Sequence, residues 1–277
     1  MRWSTLLPVG ALVAVGQHQP TQPFLHILQP IPSPPNQHQH QHLTPPSLRR
    51  APPLPTGQIL TSCTTPGLVA LTFDDGPYIY TAPLLTLLSS FSPPVPATFF
   101  VNGANWVSGI DDESGPYPGI LRRIVSEGHQ LASHTWSHAD LSGLSKEERV
   151  EEVEKLGDVL ERVVGVRPRY IRPPYGSCDD GCLQDLEGMG VRVVGWGVDT
   201  RDWENDEETE IWGSVDKFER ELGTDPAGES AIVLGHDVHR WTVEVLVGEM
   251  VRVARGRGFR LVTVGECLGD GGEGWYF

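Results

Sequence analysis

Short apolar runs alternate along the chain with longer segments whose apolar residues recur at helical spacing. The apolar runs predict six β-strands, at 68–73, 97–101, 169–171, 191–197, 231–234 and 259–262. The clearest helix is predicted over 145–164, where Ser145 and Glu148 can form a capping box. Two further helices are expected at 119–127 and 241–255. Alternating strands and helices predict an α/β fold with a parallel sheet, either open or closed into a barrel.

The first predicted strand ends in two adjacent carboxylates. It carries Asp74 and Asp75 into a turn at Gly76 and Pro77, so both acids are expected at the rim of the sheet, where ligands commonly bind. Adjacent carboxylates repel each other, and a proton or a cation commonly neutralises one of them. Taken alone, Asp-Asp-Gly-Pro is also an ordinary turn signal.

Two histidines separated by three residues supply candidate metal ligands. His134 and His138 stand one helical turn apart, a spacing that alone is also common in proteins without a metal. Combined with the two acids, it suggests a divalent metal held by Asp75, His134 and His138, with Asp74 left free as a base. His129, five residues before His134, is interpreted as a buried, hydrogen-bonded residue rather than a ligand.

Three further motifs follow in order along the chain: Arg172-Pro-Pro-Tyr-Gly176, Asp199-Thr-Arg-Asp-Trp203 and Ile232-Val-Leu-Gly-His-Asp237. Together with Thr72-Phe-Asp-Asp75 and the histidine pair, they resemble the five motifs of the polysaccharide deacetylases of carbohydrate esterase family four, also called the NodB-homology family. Five ordered motifs are a much stronger signal than any one of them. The resemblance implies an α/β fold of one catalytic domain, a distorted (β/α) barrel with seven strands and its motifs at strand carboxyl ends.

The resemblance also implies the roles of the charged motif residues. Asp74 would be the general base, and Arg172 would pair with it. His236 would act as the general acid that protonates the departing amine, a task that suits a pKa near neutrality. Asp202 would hold His236 charged and oriented, with Asp199 as the alternative partner.

Other residues of the motifs would shape the substrate site. The backbone N–H of Tyr175 would stabilise the oxyanion together with the metal, and its ring would form a wall of the site. Trp203 and Leu234 would form the apolar pocket for the acetyl methyl group, although both residue types are also ordinary core residues. Asp237 is interpreted as a surface or structural acid, and the pattern assigns no role to His239.

Four cysteines lie in the part of the chain that carries the motifs. An even count favours disulfides over free thiols here, because Arg2 and the apolar stretch at 6–15 predict a signal peptide and hence an oxidising compartment. Four cysteines allow three pairings. Cys178 and Cys182 flank a predicted tight turn at 179–181, so they can reach each other locally. This pairing leaves Cys63 with Cys267, a bridge between the two ends of the domain.

The amino-terminal part differs from the rest in composition. Arg2 followed by an apolar stretch at 6–15 predicts a signal peptide over 1–16. Residues 17–58 are rich in Pro, Gln and His and predict a disordered spacer, because such a segment cannot bury enough apolar surface to fold. The deacetylase domain is expected over 59–277, and the protein is expected to be secreted, outside the cell or in the cell wall.

Acidic residues dominate after the spacer. The chain has 36 acidic and 21 basic residues, and the first 59 residues include none of the acids. Such a surface repels nucleic acids and anionic membranes and favours a neutral or cationic partner, although a solvated acidic shell can also have no partner. No later segment approaches the roughly 20 apolar residues of a membrane span. We expect a monomer that acts on a polysaccharide.

The resemblance implies metal-dependent hydrolysis of N-acetyl groups from a polymeric amino sugar, with chitin or its oligomers as the expected substrate. Zinc is the expected metal, with cobalt as the alternative. Within the same fold, the alternatives are an acetyl xylan esterase and a peptidoglycan deacetylase. From other functional classes, the alternatives are a non-catalytic carbohydrate-binding wall protein that keeps the fold and a metal-dependent nuclease, and the acidic surface disfavours the nuclease.

Overall fold

The computed structural model describes residues 56–277 of the chain. The predicted signal peptide at 1–16, and the predicted spacer at 17–58 except its last three residues, lie outside this range. The described residues form an α/β domain around one sheet of nine parallel strands. The strands are β1 (Ile59–Leu60), β2 (Leu68–Asp74), β3 (Thr98–Val101), β4 (Gln130–Ser133), β5 (Tyr170–Ile171), β6 (Arg192–Val194), β7 (Val198–Asp199), β8 (Ala231–His236) and β9 (Arg260–Val262).

The sheet is a distorted barrel, as the resemblance implies. Its strand order is β1-β6-β5-β4-β3-β2-β8-β7, with β9 pairing the first half of β2. Strand β2 is central, and all seven of its residues are buried, which explains its nearly continuous apolar sequence. The predicted count of seven strands is too low. The two edge strands, β1 and β7, each have only two residues, and so short a strand leaves no clear pattern in the sequence.

Seven α-helices accompany the sheet, and none within residues 56–277 is long and apolar enough to cross a membrane. They are α1 (Thr81–Ser90), α2 (Tyr117–Ser126), α3 (Lys146–Val164), α4 (Asp180–Gly188), α5 (Ile211–Glu221), α6 (Val247–Gly256) and α7 (Val264–Cys267). A π-helical turn, Thr242–Leu246, leads into α6. The capping box predicted for α3 is present, and the helix ends at Gly165, whose positive φ of 77° suits glycine.

Two differences from the predicted strands have local causes. Strand β4 was missed because its first residue, Gln130, is polar but fully buried, and its side-chain oxygen accepts a hydrogen bond from the backbone of Gly265 at 2.8 Å. The strand predicted over 191–197 is shorter in the structure, where β6 ends at Val194. The chain then turns away from β1, and β7 begins at Val198, just beyond the predicted range, and pairs with β8.

Both expected disulfides are formed in the structure. Cys63 and Cys267 connect the segment before β2 to α7 across 204 positions, with 4.7 Å between their Cα atoms. Cys178 and Cys182 form the second bridge. The segment between them is not the predicted tight turn but the first turn of α4, where the side chain of Asp179 accepts the N–H of Cys182 at 2.8 Å.

Candidate active site

The motif residues lie together at the carboxyl ends of the strands. Asp74 and His236 end β2 and β8, and His134 and Arg172 directly follow β4 and β5. A cavity of about 490 Å³ opens at this end of the barrel. Eight of the ten residues expected in the site line it: Asp74, Asp75, His134, His138, Tyr175, Trp203, Leu234 and His236. The other two, Arg172 and Asp202, are fully buried beneath its surface.

Asp75, His134 and His138 converge on one point. One ligand atom from each lies within 4.8 Å of the others, and Oδ1 of Asp75 is 3.1 Å from Nε2 of His138 and 3.5 Å from Nε2 of His134. Among the described residues, this buried Oδ1 has no partner in hydrogen-bond geometry. One carboxylate and two imidazoles that leave coordination positions open form a donor set for a catalytic divalent metal. The residues present therefore fit the metal that the motifs imply.

The other nitrogen of each imidazole is already engaged. Nδ1 of His134 donates to the carbonyl oxygen of Arg172 at 2.7 Å, so its Nε2 carries a lone pair when the ring is neutral. Nδ1 of His138 lies 3.2 Å from the hydroxyl of Tyr175. Such contacts commonly select the tautomer and fix the ring orientation of metal-binding histidines. They direct both Nε2 atoms at Asp75.

The protonation of two members of the cluster also suits a cation. Burial lowers the pKa of His134, which favours the neutral ring that a metal requires. Burial alone would raise the pKa of Asp75. The contact with His138 and the charges of His134 and His236 outweigh it and hold this pKa well below its usual range. Asp75 is thus a carboxylate at neutral pH.

Asp74 is paired with Arg172 rather than with the cluster. Its Oδ1 accepts a hydrogen bond from Nη1 of Arg172 at 2.7 Å, and its Oδ2 lies 3.9 Å from Nε2 of His134. The guanidinium also donates to Thr72 Oγ1 and to the carbonyl oxygens of Gly195 and Val194. The fully buried guanidinium of Arg172 is therefore held by β2 and by the carboxyl end of β6. Oδ2 of Asp74 does not bind Arg172 and is available to the cavity.

His236 and Asp202 form a second ion pair. Nδ1 of His236 donates to Asp202 Oδ1 at 2.8 Å, and the other carboxylate oxygen accepts from the His236 backbone N–H and from Thr242 Oγ1, each at 2.7 Å. Burial disfavours the charged imidazole. The charge and hydrogen bond of Asp202, with smaller effects of Asp74 and Asp75, more than compensate and raise the pKa of His236 to about 9. His236 is therefore protonated at neutral pH.

The remaining predicted residues form the walls. Leu234 precedes His236 by two positions on β8, so both side chains lie on the same face of the sheet. Trp203 is 52% exposed, whereas Leu234 is only 5% exposed. Tyr175 lies in a short turn after β5 and has a positive φ of 60°, a conformation that is uncommon outside glycine and often occurs at functional sites.

Three expectations can now be made more precise. His134 and His138, whose spacing is also that of one helical turn, lie in a loop after β4, and the positive φ values of Thr135 and His138 bring the two rings together. Asp237 is a structural rather than a surface acid, because it is only 1% exposed and accepts a hydrogen bond from Thr81. Burial and the nearby charges of Asp75 and Asp74 raise its pKa to about 7. His236 pairs with Asp202, the expected partner, whereas the alternative, Asp199, accepts a hydrogen bond from the backbone N–H of Arg201.

Sequence reasoning missed some parts of the cavity wall. Trp196 lies in it and packs on the guanidinium of Arg172 at 5.7 Å, and nothing in the motif pattern singles it out. Asp199 and His239 also line the cavity. His239 stands three positions after His236, and this proximity to the fifth motif was the only available signal.

The fold and the site can be compared with known proteins. The family described as polysaccharide deacetylase matches residues 61–194. A chitin deacetylase from Colletotrichum lindemuthianum is 44% identical over 223 residues, which cover 80% of this chain and 88% of that protein. A chitin deacetylase from a Pestalotiopsis species is also 44% identical, over 80% of this chain and 71% of that protein. The solved structure of the Colletotrichum enzyme matches with a TM-score of 0.78, covering 81% of this chain and 97% of that one. The chain belongs to the polysaccharide deacetylase family.

Proposed function

We propose that this protein is a chitin deacetylase, which hydrolyses N-acetyl groups of a polymeric amino sugar and releases acetate. One observation carries the proposal: a single cavity contains three residues that can hold a metal ion, the separate carboxylate of Asp74, and His236, whose pKa is raised to about 9. An amide resists hydrolysis because water is a poor nucleophile, the oxyanion is unstable and an amine leaves badly. The cavity offers a group for each difficulty.

Asp74 takes the role of general base. A divalent metal held by Asp75, His134 and His138 would lower the pKa of a water and polarise the acetyl oxygen. Asp74 Oδ2 accepts the proton of the attacking water, while Oδ1 stays bound to Arg172. The buried guanidinium keeps the carboxylate in a fixed orientation, so little reorganisation accompanies the proton transfer.

Tyr175 contributes through its backbone and through its ring. Its N–H is the proposed donor to the developing oxyanion, and loss of such a donor typically costs about 3 kcal/mol of transition-state stabilisation. The preceding residue, Pro174, is buried and restricts the turn that sets the position of this N–H. The hydroxyl of Tyr175 meanwhile supports His138, so one residue connects the oxyanion site to the metal ligands.

His236 supplies the proton for the leaving group. Because Asp202 holds its Nδ1, the other ring nitrogen, Nε2, can donate to the amine as the carbon–nitrogen bond breaks. Protonation at neutral pH is what an acid requires before the reaction begins. Leu234 and Trp203, on the same cavity wall, offer apolar surface for the acetyl methyl group.

The choice of chitin is supported by the two relatives from Colletotrichum lindemuthianum and Pestalotiopsis, both of which are named chitin deacetylases. We propose zinc as the metal, because two imidazoles and a carboxylate are ligands that zinc commonly takes, with cobalt as a functional substitute. Secretion as a monomer is proposed as well, with the signal peptide at 1–16, the spacer at 17–58 and the catalytic domain at 59–277. Two disulfides support an oxidising compartment.

Acetate release from three polymers tests the proposal. Chitin oligomers, acetyl xylan and peptidoglycan would each be incubated with the purified protein, first after exhaustive chelation and then after addition of zinc or cobalt. We expect release from chitin oligomers that requires the added metal. Protein carrying Asp74→Asn, purified in the same way, controls for contaminating activity.

Two outcomes would contradict the proposal at different points. Faster release from acetyl xylan or peptidoglycan than from chitin oligomers would keep the mechanism but replace the substrate. Full activity after chelation, with no metal found by elemental analysis, would remove the metal site itself.

A further inference from the structure

We infer that His239, held by Asp206, is a substrate-contacting residue whose Nε2 forms a hydrogen bond with a hydroxyl group of the bound sugar chain. Neither residue has a part in the hydrolysis described above. The inference rests on the proposed action on a polysaccharide. It adds a specificity-determining contact to the same cavity.

The ring of His239 lies beside the proposed general acid. His239 lines the cavity together with His236, and the centroids of the two imidazoles are 5.8 Å apart. Its side chain is 15% exposed, so it is accessible from the cavity but largely enclosed. A sugar chain whose acetamide group reaches His236 therefore has to pass close to His239.

The orientation of the His239 ring is fixed by its neighbours. Nδ1 of His239 lies 2.9 Å from Oδ2 of Asp206, and the other oxygen of that carboxylate accepts the backbone N–H of Trp241 at 3.3 Å. The carboxylate thus connects the loop after β7 to the segment after β8. The ring of Trp106 contacts the imidazole edge-on, with 6.1 Å between centroids. His239 is held from two sides before any substrate arrives.

The second nitrogen of the His239 ring is free to contact a substrate. A carboxylate can only accept, so Nδ1 carries the hydrogen that binds Asp206, and Nε2 is left for another partner. Among the described residues, only Nδ1 of this ring has a hydrogen-bond partner. Sugar hydroxyls, which both donate and accept hydrogen bonds, are the polar groups that a neutral polysaccharide presents in greatest number. An oriented imidazole nitrogen in the cavity wall suits them.

Direct binding tests the inference without catalysis. The background is the zinc-loaded Asp74→Asn protein, in which turnover is suppressed and the cavity keeps its shape. Titration calorimetry with a tetramer of N-acetylglucosamine would give the Kd with and without His239→Ala. Loss of one hydrogen bond to a neutral partner predicts binding that is weaker by about 3- to 10-fold.

Three further variants separate this contact from a structural role. His239→Gln places an amide near the former Nε2 and should recover part of the affinity. Asp206→Ala frees the ring and should weaken binding in the same direction as His239→Ala. Glu207→Gln removes an exposed acid from the same loop and should leave both binding and activity unchanged. Thermal unfolding of every variant checks that the fold is retained.

Steady-state kinetics in the otherwise unchanged enzyme give an independent readout. Loss of a sugar contact made equally in the ground and transition states raises KM for chitin oligomers and leaves kcat largely intact. A fall in kcat with unchanged KM would overturn the inference, because His239 would then act on the chemistry through His236. Unchanged tetramer binding in His239→Ala would overturn it as well. If the wild-type protein releases no acetate from any chitin oligomer, the proposed function fails, and the inference fails with it.

Discussion

Asp74 and His236 are register partners on the neighbouring parallel strands β2 and β8. Partners in a parallel ladder present their side chains on the same face of the sheet, so the proposed base and the proposed acid are set side by side by the backbone. Each is paired with a buried group of opposite charge: Arg172 holds Asp74, and Asp202 holds His236. The two pairs give adjacent residues opposite tasks, one accepting a proton and the other donating one.

Asp74→Asn should separate catalysis from metal binding. The amide keeps the shape of the carboxylate but cannot accept the proton of the attacking water. We expect kcat for chitin oligomers to fall by about 10²- to 10⁴-fold, the usual contribution of an acid–base group. The zinc content should stay at that of the wild type, because the cluster consists of Asp75 and two histidines.

Elemental analysis and thermal unfolding are the controls for this variant. Removing one partner of a buried ion pair can cost 3–5 kcal/mol of stability, so retention of the fold has to be measured. A variant that is folded, metal-loaded and still close to wild-type activity would place the base elsewhere.

Tyr175→Phe should weaken metal binding while it preserves the backbone N–H. The hydroxyl lies 3.2 Å from Nδ1 of His138, and contacts of this kind to metal-bound histidines commonly contribute 10- to 100-fold in affinity. We expect a loss near tenfold, because the residue is 71% exposed and water can replace the hydroxyl. The zinc affinities of the variant and the wild type would be measured by competition with a chelating dye.

Tyr170→Phe is the matched control for Tyr175→Phe. It also removes one hydroxyl hydrogen bond, but from Asp270 rather than from a metal ligand. Its zinc affinity should equal that of the wild type. Equal losses in both variants would show that the Tyr175 hydroxyl has no specific effect on His138.

The sequence predicted more of the site than of the sheet. Asp74 and His236 each end an apolar run, and strands with five to seven buried residues are easy to recognise. Strand β4 was missed because the partners that allow Gln130 to be buried come from β3 and α7, far away in sequence. Pairings of this kind leave no local pattern.

The histidine pair shows the same limit inside the site. The spacing of His134 and His138 is compatible with a helix, and only the backbone of the folded loop, with φ of 71° at Thr135 and 62° at His138, reveals the real arrangement. The contact between Asp206 and His239 could not be predicted either. Asp206 and His239 are 33 positions apart, and the ladder between β7 and β8 brings their loops together.

The two disulfides should differ in their contribution to stability. In the chain-entropy model, the stabilisation grows with the length of the closed loop, and Cys63 and Cys267 close 204 positions against 4 for Cys178 and Cys182. The model assigns roughly 5 kcal/mol to the long loop and roughly 2 kcal/mol to the short one. Replacing each pair by serines and measuring urea unfolding at equilibrium tests this order. Equal losses would mean that the bridges act chiefly in the folded state.

His236→Ala should affect an amide more than an activated ester. An amine needs a proton in order to leave, whereas the phenolate of an aryl acetate leaves without one. We expect the loss in kcat/KM to be at least tenfold larger for chitin oligomers than for the aryl acetate, because general acid catalysis typically contributes 10²- to 10⁴-fold. Equal losses on both substrates would indicate that His236 chiefly stabilises the oxyanion.

The pKa of His236 can be measured directly in the metal-free protein. Asp202 raises it from the ordinary 6.5 to about 9, so the folded state binds this proton more tightly than the unfolded state does. The resulting stabilisation is complete below about pH 6.5 and is lost as the pH rises through about 9. NMR titration of the ring should give a value near 9 in the wild type and a clearly lower one in Asp202→Asn. The free energy of unfolding should fall over the same pH window in the wild type and stay nearly constant in the variant. A wild-type titration near 6.5 would show that His236 is not held charged by Asp202, and the acid would then have to be protonated by another route.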